Sequence, residues 1–290
     1  MRRKKQSAPL PHFFQFQFQK KILTVEEEAV RTPLSRHPIW QIFGLTRNNI
    51  IGDMAHLCDG GVLLNLEGSC LDELVDPSEI GYGTLEENFA RTRDAVSNAY
   101  DMAGTPASHR ICRLRLAHFH KPGDWACLTA KFSHARALLP ILLNVLASIA
   151  KTCERDHHRH HAFHHLNCCY QIILEAGYFI DAAACGELAG AMDKFMVHYN
   201  WLSKHSLASA RMRYAVTVKA YFLLHLIQFS KYINPRVVWA YAFESMMGLL
   251  ARSAAGCTRS SPLCTVGKKV TMNYLYALSI KLSKAERRCA

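Results

Sequence analysis

Asp53 and His56 stand three residues apart in the stretch Gly52-Asp53-Met54-Ala55-His56-Leu57-Cys58-Asp59-Gly60-Gly61-Val62. On a helix that spacing sets a carboxylate beside an imidazole, so the acid orients the base or both point into one polar pocket. A capped helix with a hydrogen-bonded core histidine has the same pattern. Further on, Asp156 to His165 holds six histidines. In helical geometry His157, His160, His161 and His164 share one face, and His158, His161 and His165 a neighbouring one, so two or three imidazoles could hold zinc or copper. A solvated helix face with adventitious metal affinity accounts for the same run. Glu244 is the only acid between residues 203 and 285, and Trp239, Tyr241, Phe243, Met246 and Met247 flank it. A carboxylate so placed is one half of an ion pair or a ligand for a divalent cation facing phosphate.

Other chemistry is excluded by pattern. The sequence has no C-x2-C pair, Walker loop, dinucleotide fingerprint, H-E-x-x-H or nucleophile elbow, and so lacks the usual signs of zinc fingers, nucleotide enzymes and hydrolases. What remains are two separated pieces: Asp53-Met54-Ala55-His56 with Asp59-Gly60-Gly61-Val62, and Lys219-Ala220-Tyr221-Phe222-Leu223-Leu224-His225 followed by Trp239 to Glu244.

These pieces resemble the D-x-x-H motif with its trailing G-V, the K-x-H-x-x-x-H segment and the W-x-x-x-F-E helix of eukaryotic cut-and-paste DDE transposases of the CACTA type. Their order matches over roughly residues 37–284. The resemblance implies that Asp53 and His56 belong beside a catalytic centre and that Glu244 is its last acid, a Mg2+ ligand, with Lys219 and His225 in the segment between. Tyr221 stands where the family has its first histidine. The family's catalytic domain is RNase H-like, with two aspartates on strands upstream of D-x-x-H, whereas no Asp precedes Asp53 here. Strand transfer by two metal ions needs all three carboxylates. The resemblance therefore implies the helical insertion and last helix of a transposase without its main strands, inactive on its own.

The elements that must position these residues read as helices, and the fold class expected is all-α, a multi-helix array. Asn48-Asn49 caps an apolar stripe through Met54, Leu57 and Cys58, and Gly60-Gly61 interrupts or bends it. Pro77, Gly81 and Gly83 mark a loop, and Thr84-Leu85-Glu86-Glu87 opens a helix with acids in its first turn. Pro122-Gly123-Asp124 is a second break, leading into an expected helix from about 125 to 151. Others are expected near 155–176, 180–201, 210–232, 235–253 and 263–284, the fifth of these six starting at Asn234-Pro235. Residues 1–36 read as a basic tail, 37–284 as the helical domain with a sub-boundary near 203, and 285–290 as a short tail.

Charge divides the 290 residues into blocks. Residues 1–52 carry 9 basic and 3 acidic groups, residues 53–202 carry 12 and 18, and residues 203–290 carry 14 and 2. A C-terminal net charge of +12 predicts a polyanionic partner. The expected DNA contacts are Arg211, Arg213, Lys219, Arg236, Arg252, Lys268 and Lys269, with the acidic middle packing or self-associating. A helical interaction scaffold without nucleic acid and a zinc-binding protein built on the histidine run are the rival readings. Arg2 to Lys5 and Lys20-Lys21 suggest nuclear import. The eleven cysteines have irregular spacing, and the longest apolar run is broken by Arg136, Pro140 and Asn144. A reduced intracellular setting and no membrane partner are expected.

Overall fold

The computed structural model describes residues 52–149 and 153–241, with scattered positions from 247 to 279. It is all-α, and no strand occurs among the described residues. A π-helical segment, Ala55–Val62, runs directly into α1 (Leu63–Val75). There follow α2 (Pro77–Ile80), α3 (Leu85–Met102), α4 (Phe132–Ser148), α5 (Glu154–Glu175), α6 (Ala182–Ala208) and α7 (Val218–Phe229).

Capping explains where several of these helices begin. Thr84 and Glu87 form a reciprocal capping box at the start of α3, with N–O distances of 3.2 and 2.8 Å. Asp181 caps α6 through the Ala184 amide at 2.8 Å, and Asp76 with Pro77 opens α2. Gly81 ends α2 in a left-handed conformation at φ 80°.

Apolar residues at helical spacing then decide the packing. Ala135, Leu138, Leu139, Leu142, Val145 and Leu146 give α4 one buried stripe. Helices α5 and α6 form an antiparallel pair, because Cys169 meets Leu188 near one end while His158 meets His198 towards the other. Helix α1 sits among the π-helical segment, α2, α3 and α4. Its buried face therefore includes Glu67, Ser69, Asp72 and Glu73 as well as Leu66, Cys70 and Leu71. One core runs from Met54 to Ile227, and residue 203 lies inside the unbroken α6. No described helix is long and apolar enough to cross a membrane. Every cysteine among the described residues is a free thiol.

Four elements differ from the sequence reading. Gly60-Gly61 neither breaks nor ends its helix; the winding widens to π and continues. Both glycines are needed for close approach, since a Cβ would lie 2.2 Å from the Phe132 ring at position 60 and 2.5 Å from the Lys219 side chain at position 61. The helix expected from residue 125 starts at Phe132 instead. Residues 126–129 give their amides to distant carbonyls: Ala126 to Met212 at 2.8 Å, Leu128 to Leu64 at 2.9 Å and Thr129 to His118 at 2.7 Å. The helix expected over 210–232 is confined to α7. The helix expected over 235–253 begins later: Asn234-Pro235 opens a 3-10 turn, Pro235–Val238, Trp239 is extended, and the described positions 241, 247, 248, 251 and 252 are helical. The stretch 263–284 is described only at scattered positions.

Candidate functional site

The Asp53–His56 pair forms as the spacing predicts. Asp53 Oδ2 accepts from the His56 amide at 3.1 Å and pairs with His56 Nδ1. Asp53 Oδ1 accepts from the Ala55 amide at 3.1 Å and from the Ala240 amide at 2.8 Å. The acid thus caps its own helix and also holds a segment 187 residues away. His56 is half exposed and meets the Phe132 ring edge-on at 5.4 Å. Glu244 lies outside the described residues.

Asp59 is the residue that the sequence reading passed over. It is fully buried, six residues beyond Asp53, and its two oxygens accept from separate tyrosines. Tyr170 from α5 donates to Oδ1, and Tyr241 donates to Oδ2 at 2.5 Å. Arg136 from α4 stacks over Trp239 at 4.6 Å and Tyr241 at 5.0 Å, and it belongs with Tyr170, Ser133, Pro140 and Asn167 to the lining of a cleft of about 230 Å³. An Asp inside the apolar run Met54, Cys58, Val62 was the available clue, because a charge on a core face needs a partner.

Burial pushes the Asp59 carboxyl up from its ordinary value to about 6, against the pull of both tyrosine hydroxyls and Arg136; Asp53 adds to the rise. The sign of its pH effect follows. From roughly pH 4 to 6 the folded chain holds a proton that the unfolded chain has released, so stability falls as pH rises through that window. The loss is complete above about pH 6 and amounts to at most ~3 kcal/mol at 1.36 kcal/mol per unit. Asp59→Asn, which keeps an acceptor and removes the charge, is expected to be ~1–3 kcal/mol more stable than wild type at pH 7.5 and to converge on it near pH 4. Urea unfolding at the two pH values measures this, and an offset independent of pH would exclude a buried charge as its cause. Glu67 is a second buried acid, with no hydrogen-bond partner at either oxygen and its carboxyl held well above the usual range by burial and then by Asp59.

No protein family, curated protein or solved structure matches the chain.

Asp53 accepts three backbone hydrogen bonds and pairs with His56, and Asp59 accepts from two tyrosine hydroxyls. A divalent cation at either carboxylate would compete with these donors.

Arg213 is 3 % exposed and bonded to Asp72, Asp76 and Glu79, so it does not face a phosphate backbone. Arg211 donates to Ser78 at 2.7 Å, Lys219 to the Gly60 carbonyl at 2.7 Å and Arg236 to the Leu174 carbonyl at 2.7 Å. These four serve the chain's own acids and carbonyls, as block charge could not reveal. Arg211, Arg236, Arg252, Lys268 and Lys269 are all exposed.

The histidine run lies on α5, and the second of the two faces named from the sequence is the one that packs inward. His158, His161 and His165 turn toward α6, where they meet His198. Of the set His157, His160, His161 and His164, only His161 belongs to the group of three donors that converges among the described residues. Neighbouring faces of one helix cannot be ranked without knowing where the next helix lies.

Proposed function

We propose that the chain is a DNA-associated protein derived from a DDE-type transposase, without strand-transfer activity of its own. The observation that carries this reading is the hydrogen bond from the Ala240 amide to Asp53. It joins the D-x-x-H piece to the segment leading into Glu244, the two pieces that the resemblance assigns to one centre. The hydrogen bonds that Asp53 and Asp59 accept support a structural role for these two acids. The net +12 of residues 203–290 and the exposure of Arg252, Lys268 and Lys269 support phosphate contact. A nuclear location belongs to the same reading.

Fluorescence anisotropy with a labelled duplex between 50 and 300 mM salt tests it. Binding is expected to weaken steeply, with the log–log slope falling by about 0.9 for each phosphate contact removed. The variant Arg252→Glu/Lys268→Glu/Lys269→Glu is expected to lose most of the affinity and flatten the slope. Absent or salt-insensitive binding by the folded wild-type chain overturns the proposal.

A further inference from the structure

Three imidazoles from two helices converge on the α5–α6 seam. His161 and His165 are one turn apart on α5 and His198 comes from α6, with one ring nitrogen of each lying within 4.8 Å of the others. Their rings are nearly parallel, at 21° for His161 with His198 and 13° for His165 with His198. Around Zn2+ at about 2.0–2.1 Å from each nitrogen, tetrahedral ligands stand roughly 3.4 Å apart. Ring rotations and a closure of about an ångström would form such a site without moving either helix axis.

We propose that His161, His165 and His198 bind one zinc ion. The surroundings prepare the ligands. His198 Nδ1 lies 2.9 Å from His158 Nδ1, so one nitrogen donates to the other. When His198 is the donor, its tautomer is fixed and Nε2 carries the lone pair for the metal. His158 is itself held by stacking on Trp201, with ring centroids 4.0 Å apart and planes 1° apart.

This inference is independent of any DNA role, and its test does not use DNA. The full chain, freed of metal by chelation, is titrated with Co2+ as a spectroscopic probe and with Zn2+ by calorimetry. One equivalent is expected to bind with a dissociation constant below about 10 µM, given the tight affinities of histidine zinc sites, and with visible d–d absorption. His198→Ala is expected to weaken binding at least 100-fold. His158→Ala, which removes the orienting partner, is expected to weaken it by about 10-fold. His157→Ala/His164→Ala is expected to bind as wild type does. Because the ion would bridge α5 and α6, Zn2+ should also raise the melting temperature of wild type but not of His198→Ala. Several weak sites, or equal losses in the His157/His164 and His198 variants, would overturn the proposal. Circular dichroism confirms that each variant is folded before it is titrated.

Discussion

Replacing Arg213 with methionine is expected to destabilise the chain by about 3–5 kcal/mol, the range for removing one partner of a buried ion network. The guanidinium is 3 % exposed and uses all three of its nitrogens. Nε donates to Asp72 at 2.7 Å, Nη2 to Asp76 at 2.6 Å and Nη1 to Glu79 at 2.8 Å. Methionine fills comparable space but leaves three largely buried carboxylates facing one another. Part of the damage is contained by neighbours: His120 lies 2.6 Å from Asp72, Arg211 lies 3.4 Å from Asp76, and Arg155 donates to Glu79. Urea denaturation measures the loss, and a change under about 1 kcal/mol would show that these neighbours replace Arg213. Arg211→Ala is the control. Its side chain is 44 % exposed, and an exposed pair contributes about 1 kcal/mol or less.

The network also has a pH signature opposite to that of Asp59. Burial pushes the Asp76 carboxyl up, but hydrogen bonds from Ser78 and Arg213 outweigh it and the net shift is downward. Glu79 is likewise pulled down once Arg155 and Arg213 outweigh its burial. A depressed folded value gives stability above the ordinary carboxylate range and loses it as pH falls through the depressed value. The gap between wild type and Arg213→Met should therefore narrow in acid.

Gly68→Ala is expected to destabilise by about 3 kcal/mol or more, beyond ordinary overpacking, because the added carbon meets backbone. Its Cβ would lie 2.3 Å from the Leu128 nitrogen and 2.6 Å from the Cys127 carbonyl carbon and Cα. The extended segment at 126–129 crosses α1 at this point. The Leu128 amide bonds the Leu64 carbonyl at 2.9 Å, and the Ser69 hydroxyl donates to the Ala126 carbonyl at 3.2 Å while accepting from the Tyr214 amide at 2.7 Å. A methyl group on Gly68 separates α1 from both partners at once. Gly186 and Gly190 in α6 have open space where a Cβ would go, so alanine there should stabilise by about 0.5–1 kcal/mol each. Thermal unfolding of the three variants side by side decides the matter; a neutral Gly68→Ala would mean that the crossing is looser than described.

What the sequence made legible was local. Thr84 and Glu87 cap α3 through groups three residues apart, and the apolar spacing of α4, α5 and α6 needs only the helical period. The Asp53–His56 pair was legible for the same reason. The start of α4 was hidden because the amides of Ala126, Leu128 and Thr129 find partners at residues 212, 64 and 118. The fate of Arg211 and Arg213 was hidden more deeply. The acids of the net −6 middle and the bases of the C-terminal block read as separate surfaces, whereas Asp72, Asp76 and Glu79 meet Arg213 across 134 to 141 residues. Part of the apparent excess of positive charge is neutralised within the fold. Asp59 was missed because its partners, Tyr170 and Tyr241, are 111 and 182 residues away.

That separation also sets an order of assembly. Helices α5 and α6 are joined by residues 176–181 alone, so their contacts close a short loop at small entropic cost. The bond from Arg213 to Asp72 closes one of 141 residues. Contacts that close long loops tend to form late, and substitutions there act mainly on the rate of leaving the native state. For Arg213→Met the refolding limb of a denaturant chevron should stay near that of wild type while the unfolding limb rises. The arginine is then less a nucleus of the fold than the latch that keeps it shut.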